Sequence, residues 1–161
     1  MKNAKFQADI IKQLIKDKSA ENINAYIDKV GAWISLDRFC AAYIKRDEFY
    51  ISLAALASSK ETEVFSRAQE NNIYHGVHGY YTGQDVTAFV SDYRGNKKFT
   101  LAQIRSEGGD REAYIDKALI RKYWDLEAAT FLFSPNKNGP LLITEDDEIT
   151  GLIMPVNWHM D

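Results

Sequence analysis

Apolar residues recur at helical spacing through the first part of the chain. In the opening segment, lysines and acidic residues separate them, so that one side of a helix would be apolar and the other charged. These apolar positions are Phe6, Ile10, Ile11, Leu14 and Ile15. Ser19 is suited to capping a second helix, and Gly31 lies where a left-handed cap would end it. The pattern therefore predicts two amphipathic helices before Gly31.

The helical pattern continues through the next forty residues. Asp37 is placed to cap a third helix, whose apolar positions continue past Asp47 to Ala57. A continuous helix with a kink is favoured over a break near Asp47. The sequence Ser-Ser-Lys-Glu at 58–61 is a capping box, which predicts a fourth, shorter helix. We therefore expect a helical N-terminal half with about four helices over residues 1–72.

The second half of the chain has a mixed pattern. β-prone segments flank turn-forming residues at 92–96, which predicts an antiparallel hairpin over residues 85–104. Asp110 is placed to cap a long helix at about 111–129. Another pair of β-prone segments predicts a second hairpin over residues 141–154.

Together these elements predict an α+β fold. The helical N-terminal half would pack on a small antiparallel sheet of two hairpins, and one further long helix would lie between the hairpins in the sequence. A length of 161 residues fits a single domain over residues 1–161. Within it, we expect a helical part at about 1–72 and a mixed strand and helix part at about 73–161.

Composition narrows the class of protein. The content of 45% hydrophobic and 27% charged residues is that of a globular chain rather than a disordered one. Because Cys40 is the one cysteine, the chain can form neither an internal disulfide nor a zinc site that needs two cysteines. The first residues lack the apolar core of a signal peptide, and the charge-free stretch at 49–59 is too short to span a bilayer. These features predict a cytoplasmic protein that does not associate with membranes.

The charge distribution lacks the basic footprint of a nucleic-acid-binding protein. The formal net charge is −3, and the acidic excess lies in residues 126–161, where Lys137 is the one basic residue. Four acidic residues are consecutive at 145–148, at the tip of the second predicted hairpin. They lack the spacing of a calcium-binding loop, so a solvated turn explains them better.

Two of the three histidines lie in a glycine-rich stretch where the chain must leave helical geometry. His75 and His78 are three residues apart, a spacing that on a helix would place both imidazoles beside one metal ion. Gly76 and Gly79 disfavour a helix, and in an extended strand the two rings would point to opposite faces. A bend at the glycines would bring them together, with Asp85 as a third group. One alternative function is therefore that of a small hydrolase or metal-dependent enzyme that uses these three residues.

Aromatic and basic residues alternate around the first predicted hairpin. Tyr80, Tyr81 and Tyr93 could stack on bases, while Arg94 and the lysines after it could contact phosphates. Cross-strand pairing within the hairpin accounts for the same residues equally well. Binding of single-stranded nucleic acid through the first hairpin is a second alternative, which the net acidity of the chain disfavours.

The sequence contains no familiar catalytic or nucleotide-binding motif. Its glycine spacing fits neither dinucleotide-binding nor P-loop phosphate sites, and the serine-hydrolase and zinc-protease motifs do not occur. We therefore expect a non-enzymatic protein of a bacterial-type cytoplasm that requires no cofactor.

A tyrosine- and glycine-rich surface around residues 74–94 is the expected binding site for another macromolecule. Tyrosine offers a large, rigid contact area with a polar tip, which suits protein interfaces. A protein partner is favoured, in an interaction or regulatory role, and self-association into a dimer through a hairpin edge is a variant of this hypothesis. The residues expected to bind are Tyr74, His75, His78, Tyr80, Tyr81, Tyr93 and Arg94.

Overall fold

The computed structural model of the chain describes residues 1–37, 39–56, 59, 76–92, 95–135 and 139–156. These residues contain two α-helices and nine β-strands, and the strands form one sheet. The helices are α1 (Asn3–Asp17) and α2 (Lys117–Tyr123), and neither is long and apolar enough to cross a membrane. The strands are β1 (Asn24–Ile27), β2 (Gly31–Asp37), β3 (Cys40–Lys45), β4 (Val77–Asp92), β5 (Gly95–Ser106), β6 (Glu112–Asp116), β7 (Thr130–Phe133), β8 (Leu141–Glu145) and β9 (Glu148–Ile153). Two short 3-10 turns, Arg46–Glu48 and Leu53–Leu56, follow β3.

The sheet is antiparallel throughout. Its order is β1-β2-β3-β9-β8-β7-β4-β5-β6. The β8–β9 hairpin lies at the centre, where β9 pairs with β3 and β8 pairs with β7. β4 joins this centre to the β5–β6 end through residues 77–79, which pair with β7.

Two hydrophobic clusters lie on the two faces of the sheet. We name the face that carries α1 and α2 the inner face, and the opposite one the outer face. Both helices contribute to the larger, inner cluster, through Phe6, Ile10, Ile120 and Tyr123. The buried members of the outer cluster are strand residues, namely Trp33, Ala41, Leu132, Leu142 and Leu152. The central strands are therefore buried on both faces.

The predicted helical N-terminal half is wrong. β1 lies in the stretch predicted as the second helix, β3 lies in the first part of the predicted third helix, and β2 occupies the stretch between them. The described residues are mostly sheet. The physical reason is burial on both faces, because residues 31–35 and 40–42 are buried without interruption. Strands covered on both sides read as continuous apolar runs, which periodicity cannot distinguish from a buried helix.

Of the four predicted N-terminal helices, the first is confirmed as α1. Its apolar stripe is narrow and its other side is solvated, so the pattern is unambiguous. The fourth helix was predicted to start at 58–61 and lies, apart from Ser59, outside the described residues.

The long helix predicted between the two hairpins is also wrong. Residues 112–116 instead form β6, which pairs with β5, and α2 covers only Lys117–Tyr123. Asp116 caps this helix in place of Asp110, since its Oδ1 accepts the amide N–H groups of Ala118 and Leu119 at 3.1 and 3.3 Å. Both hairpins are present, as β4–β5 and β8–β9, but they belong to one nine-stranded sheet and not to a small separate one.

Candidate protein interface

The first hairpin, β4–β5, extends well beyond the strands on either side of it. β7 pairs with β4 only at residues 77–79, and β6 pairs with β5 only at residues 101–105. Residues 87–92 and 95–100, which we name the hairpin arm, therefore pair with each other and with no other described strand. Each of the two strand edges of the hairpin arm presents a row of backbone N–H and C=O groups, which is the feature that lets a sheet edge accept a further strand.

The inner side of the hairpin arm is open. Alternation along β4 places Thr87 and Phe89 on this side, where their cross-strand partners are Thr100 and Lys98. Phe89 is 72% exposed, the largest fraction among the large hydrophobic residues described. An exposed aromatic ring beside an open strand edge offers both an apolar anchor and backbone hydrogen-bonding groups.

The outer side of the hairpin arm is closed by comparison. Ala88 is only 2% exposed and lies opposite Phe99. The Lys97 ammonium lies 5.1 Å from the centroid of the Phe99 ring, within the range of a cation–π contact. The hairpin arm thus has one packed side and one side that is available for contact.

A β-bulge separates the hairpin arm from the first residues of β4. Tyr81 pairs with Ile104 and Asp85 pairs with Ala102. Between these two pairs β4 has three residues, whereas β5 has only Gln103. Gly83 in this bulge has a φ of +82°, and a Cβ atom there would meet nothing within 4 Å, so the position favours glycine for its backbone conformation and not for space. The Thr82 hydroxyl donates to the side-chain oxygen of Gln103 at 3.0 Å and so ties the bulge to β5. Because a bulge bends its strand, it sets the direction in which the hairpin arm leaves the sheet.

The bulge also brings Tyr81 and Asp85 together on the inner face. The Tyr81 hydroxyl donates to Asp85 Oδ1 at 2.5 Å, and Lys117, the first residue of α2, forms an ion pair with the other carboxylate oxygen. The Lys117 ammonium also lies 5.7 Å from the centroid of the Tyr81 ring. These three residues, which we name the arm base, connect the foot of the hairpin arm to a helix.

The electrostatics of the arm base favour a structural role over acid–base chemistry. Hydrogen bonds from Lys117 and Tyr81 lower the pKa of Asp85, and the bond to Asp85 raises the pKa of Lys117. Burial, followed by the hydrogen bond to Asp85, raises the pKa of Tyr81. A general acid or base works best with a pKa near the operating pH, whereas all three shifts move away from neutrality. The arm base is therefore suited to holding the hairpin arm in place.

The predicted site residues within the described part of β4 divide between its two faces. His78 and Tyr80 lie on the outer face, where Tyr80 is 45% exposed and its hydroxyl donates to Glu107 Oε1 at 3.0 Å. That bond raises the pKa of the Tyr80 hydroxyl. Tyr81 and Asp85 lie on the inner face, so the fold does not bring His78 and Asp85 together.

The other predicted binding residues lie outside the described part of the chain. They are Tyr74, His75, Tyr93 and Arg94. The joint action of His75 and His78 at a metal therefore stays a prediction, as does the enzymatic alternative. Within the described ranges, no group of three or more His, Cys, Asp or Glu side chains is arranged to hold a metal ion.

One basic residue beside the predicted tyrosine surface, Arg105, is partly neutralised. Arg105 lies opposite Tyr80, and its guanidinium is 3.7 Å from the Glu112 carboxylate. Glu112 also accepts a hydrogen bond from the Gln103 amide at 3.2 Å. Phosphate binding depends on cations that release counterions from the nucleic acid, so a paired arginine adds little to it. Nucleic-acid binding stays a prediction without added support.

Sequence reasoning missed Phe89 and Lys117. The β-prone pattern identified a strand around Phe89, but the exposure of its ring depends on where β6 and β7 end, which a local pattern does not contain. Because a long helix was predicted over 111–129, Lys117 was placed inside a helix and not at its start. Asp116 is itself a good N-cap residue, and that signal would have placed Lys117 at the start of a helix.

No protein-family model, curated protein or solved structure matches this chain. The candidate interface is therefore defined by its own geometry. It consists of an open strand edge, an exposed aromatic ring and a base that is anchored to α2.

Proposed function

We propose that this protein works by binding another protein, and that the hairpin arm is the surface through which it binds. The observation that supports the proposal most directly is the exposure of Phe89 beside an edge of β4 that pairs with no other described strand. Aromatic residues are enriched at protein interfaces because they bury a large area at a small entropic cost.

Of the two edges of the hairpin arm, β4 is the better acceptor of a partner strand. The β5 edge carries Lys97 and Lys98 in succession, and lysines on an edge strand discourage pairing. Residues 86–91 of β4 contain no charged residue. A partner strand that pairs with β4 would gain backbone hydrogen bonds and would cover Phe89 at the same time.

The arm base adds preorganisation to this surface. A two-stranded hairpin alone in water is marginally stable at best. Here the contacts of Asp85 with Tyr81 and Lys117 fix the foot of the hairpin arm to α2 before any partner arrives. Less conformational entropy is then lost on binding, so more of the contact energy appears as affinity.

Site-specific photo-crosslinking tests this proposal. Benzoyl-phenylalanine would replace Phe89 in one variant and Tyr50, which is 69% exposed and remote from the hairpin arm in sequence, in a control. In the native cells, the variant at position 89 should give discrete protein adducts after irradiation, at least about tenfold stronger than the control, since the anchor of an interface is in direct contact with its partner. Equal adducts at the two positions, or adducts only at position 50, would overturn the proposal.

A further inference from the structure

We infer that the partner bound by the hairpin arm is a second copy of this chain, with β4 of one protomer antiparallel to β4 of its partner around a two-fold axis at Phe89. The inference rests on the proposed function and names the partner for that same surface. Two-fold dimers are the commonest closed assemblies, and their interface must be complementary to itself.

The distribution of charge selects β4 as the self-pairing edge. Pairing two copies of the β5 edge would bring Lys97 and Lys98 close to the same lysines of the partner, and like charges across paired strands repel. Residues 86–91 carry no charge, and position 92, which is Asp, would lie opposite Val86 of the partner, so two copies of β4 meet without this cost. At the end of that segment, Asp85 is neutralised by its ion pair with Lys117.

Symmetry fixes the register of the proposed pairing. With the axis at Phe89, each Phe89 lies directly opposite that of the partner, and each Thr87 lies opposite position 91. The ring, 72% exposed in the single chain, would then be covered by its own symmetry mate. Paired aromatic residues are among the stabilising cross-strand combinations in antiparallel sheets.

The described strands leave room for a partner strand in this register. The β4 strand of the partner would pair along the same edge of β4 as β7, but β7 pairs with β4 only as far as Gly79. Residues 80–85, including the bulge, separate that last pair from the proposed pairing at 86–92. The formal charge of −3 per chain also keeps long-range repulsion between two copies small.

A charge-swap pair provides the test. Sedimentation velocity of the wild-type protein over a wide concentration range should show a reversible monomer–dimer equilibrium. Phe89→Lys and Phe89→Glu alone should each raise the dimer dissociation constant at least about tenfold, because each places two like charges opposite one another. An equimolar mixture of the two variants should dimerise again, which also demonstrates that both are folded. Ile15→Lys, at an equally exposed position on α1, is the control and should leave the constant unchanged.

The outcomes separate the two proposals. A wild-type protein that stays monomeric at every concentration overturns the dimer, and adducts with a different protein at position 89 would then leave the proposed function standing. A dimer whose constant is unchanged by both charged variants, or whose mixed variants fail to associate, also overturns pairing at β4. A monomer without adducts at position 89 would overturn both proposals.

Discussion

The centre of the sheet and the hairpin arm are built from similar strands in opposite surroundings. At the centre, β8 and β9 have strand neighbours on both sides and apolar clusters on both faces, so Leu142 and Leu152 are fully buried. In the hairpin arm, each strand consists of equally β-prone residues but pairs with only one described strand, and the Phe89 side chain is exposed to solvent. The number of neighbours, and not the type of residue, decides which strand stabilises the fold and which can bind. Stability and recognition therefore depend on different parts of one sheet.

Truncating a core residue should show the largest effect. Leu142→Ala should lower the free energy of unfolding by about 3 kcal/mol, because it leaves a cavity in the outer cluster. Phe89→Ala is the matched change in the hairpin arm. At a concentration where the chain is monomeric it should cost less than about 0.5 kcal/mol, since the ring is then exposed. Urea unfolding followed by circular dichroism measures both variants. Similar losses in the two would show that the hairpin arm belongs to the folding core.

Glycine substitutions should show a smaller difference in the same direction. A Cβ atom at Gly151 would lie 2.8 Å from the Ala41 carbonyl oxygen and closer still to the Trp124 ring. Gly151→Ala should therefore cost about 2–3 kcal/mol through overpacking. Gly83→Ala, in the bulge, has open space and should cost only about 1 kcal/mol through its positive φ. Thermal unfolding would rank the two variants, and a larger loss of stability for Gly83→Ala would contradict the open space found around the bulge.

Weakening the arm base should show the smallest effect on global stability. Lys117→Met removes a partly exposed ion pair, so the free energy of unfolding should fall only slightly, because solvent screens such pairs. Amide hydrogens of residues 86–91 should nevertheless exchange faster, because the foot of the hairpin arm is less well anchored. Hydrogen exchange followed by mass spectrometry measures this. Lys122→Met, on the same helix, is the control and should leave exchange in the hairpin arm unchanged.

The same ion pair should make the hairpin arm sensitive to acid. The pKa of Asp85 is lowered in the folded chain, so its stabilising contribution is present above the ordinary carboxyl pKa of 3.8 and is lost as the pH falls through the lowered value. The raised pKa of Lys117 has the opposite sense, so that contribution is lost only as the pH rises through the raised value, above 10.5. Protection of the hairpin arm should therefore be constant near neutrality and fall in acid. Lys117→Met should weaken the acid response and leave only the part that the Tyr81 hydrogen bond supplies. Equal acid sensitivity in both proteins would assign it to another carboxylate.

Elements whose signal is local could be predicted from the sequence. α1 has a solvated face, so the spacing of Phe6 and Ile10 within its apolar stripe is diagnostic. The first hairpin was predicted because turn-forming residues at 92–96 lie between two β-prone segments, although its strands are longer than expected.

Elements whose signal is non-local could not be predicted. β3 is buried on both faces because other elements cover it, and its apolar run was therefore predicted as part of a helix. β2 is equally buried and lies in the stretch between the second and third predicted helices. Tyr80 and Tyr81 lie on opposite faces because this segment is a strand, in which successive side chains alternate. The sequence did not decide whether the segment is a strand or a bend. The exposure of Phe89 depends on the lengths of β6 and β7, which are fixed by the turns and the helix that flank those strands.

The central position of the β8–β9 hairpin constrains how the chain can be assembled during synthesis. β1 to β3 emerge from the ribosome long before β9, and the side of β3 that β9 covers remains unsatisfied until then. Contacts between residues so distant in sequence form slowly, because a long loop must close before they contribute stability. An interruption of translation before β8 would therefore leave a nascent chain in which the edge of β3 is not covered by β9. Such a chain would be a substrate for chaperones and prone to aggregate.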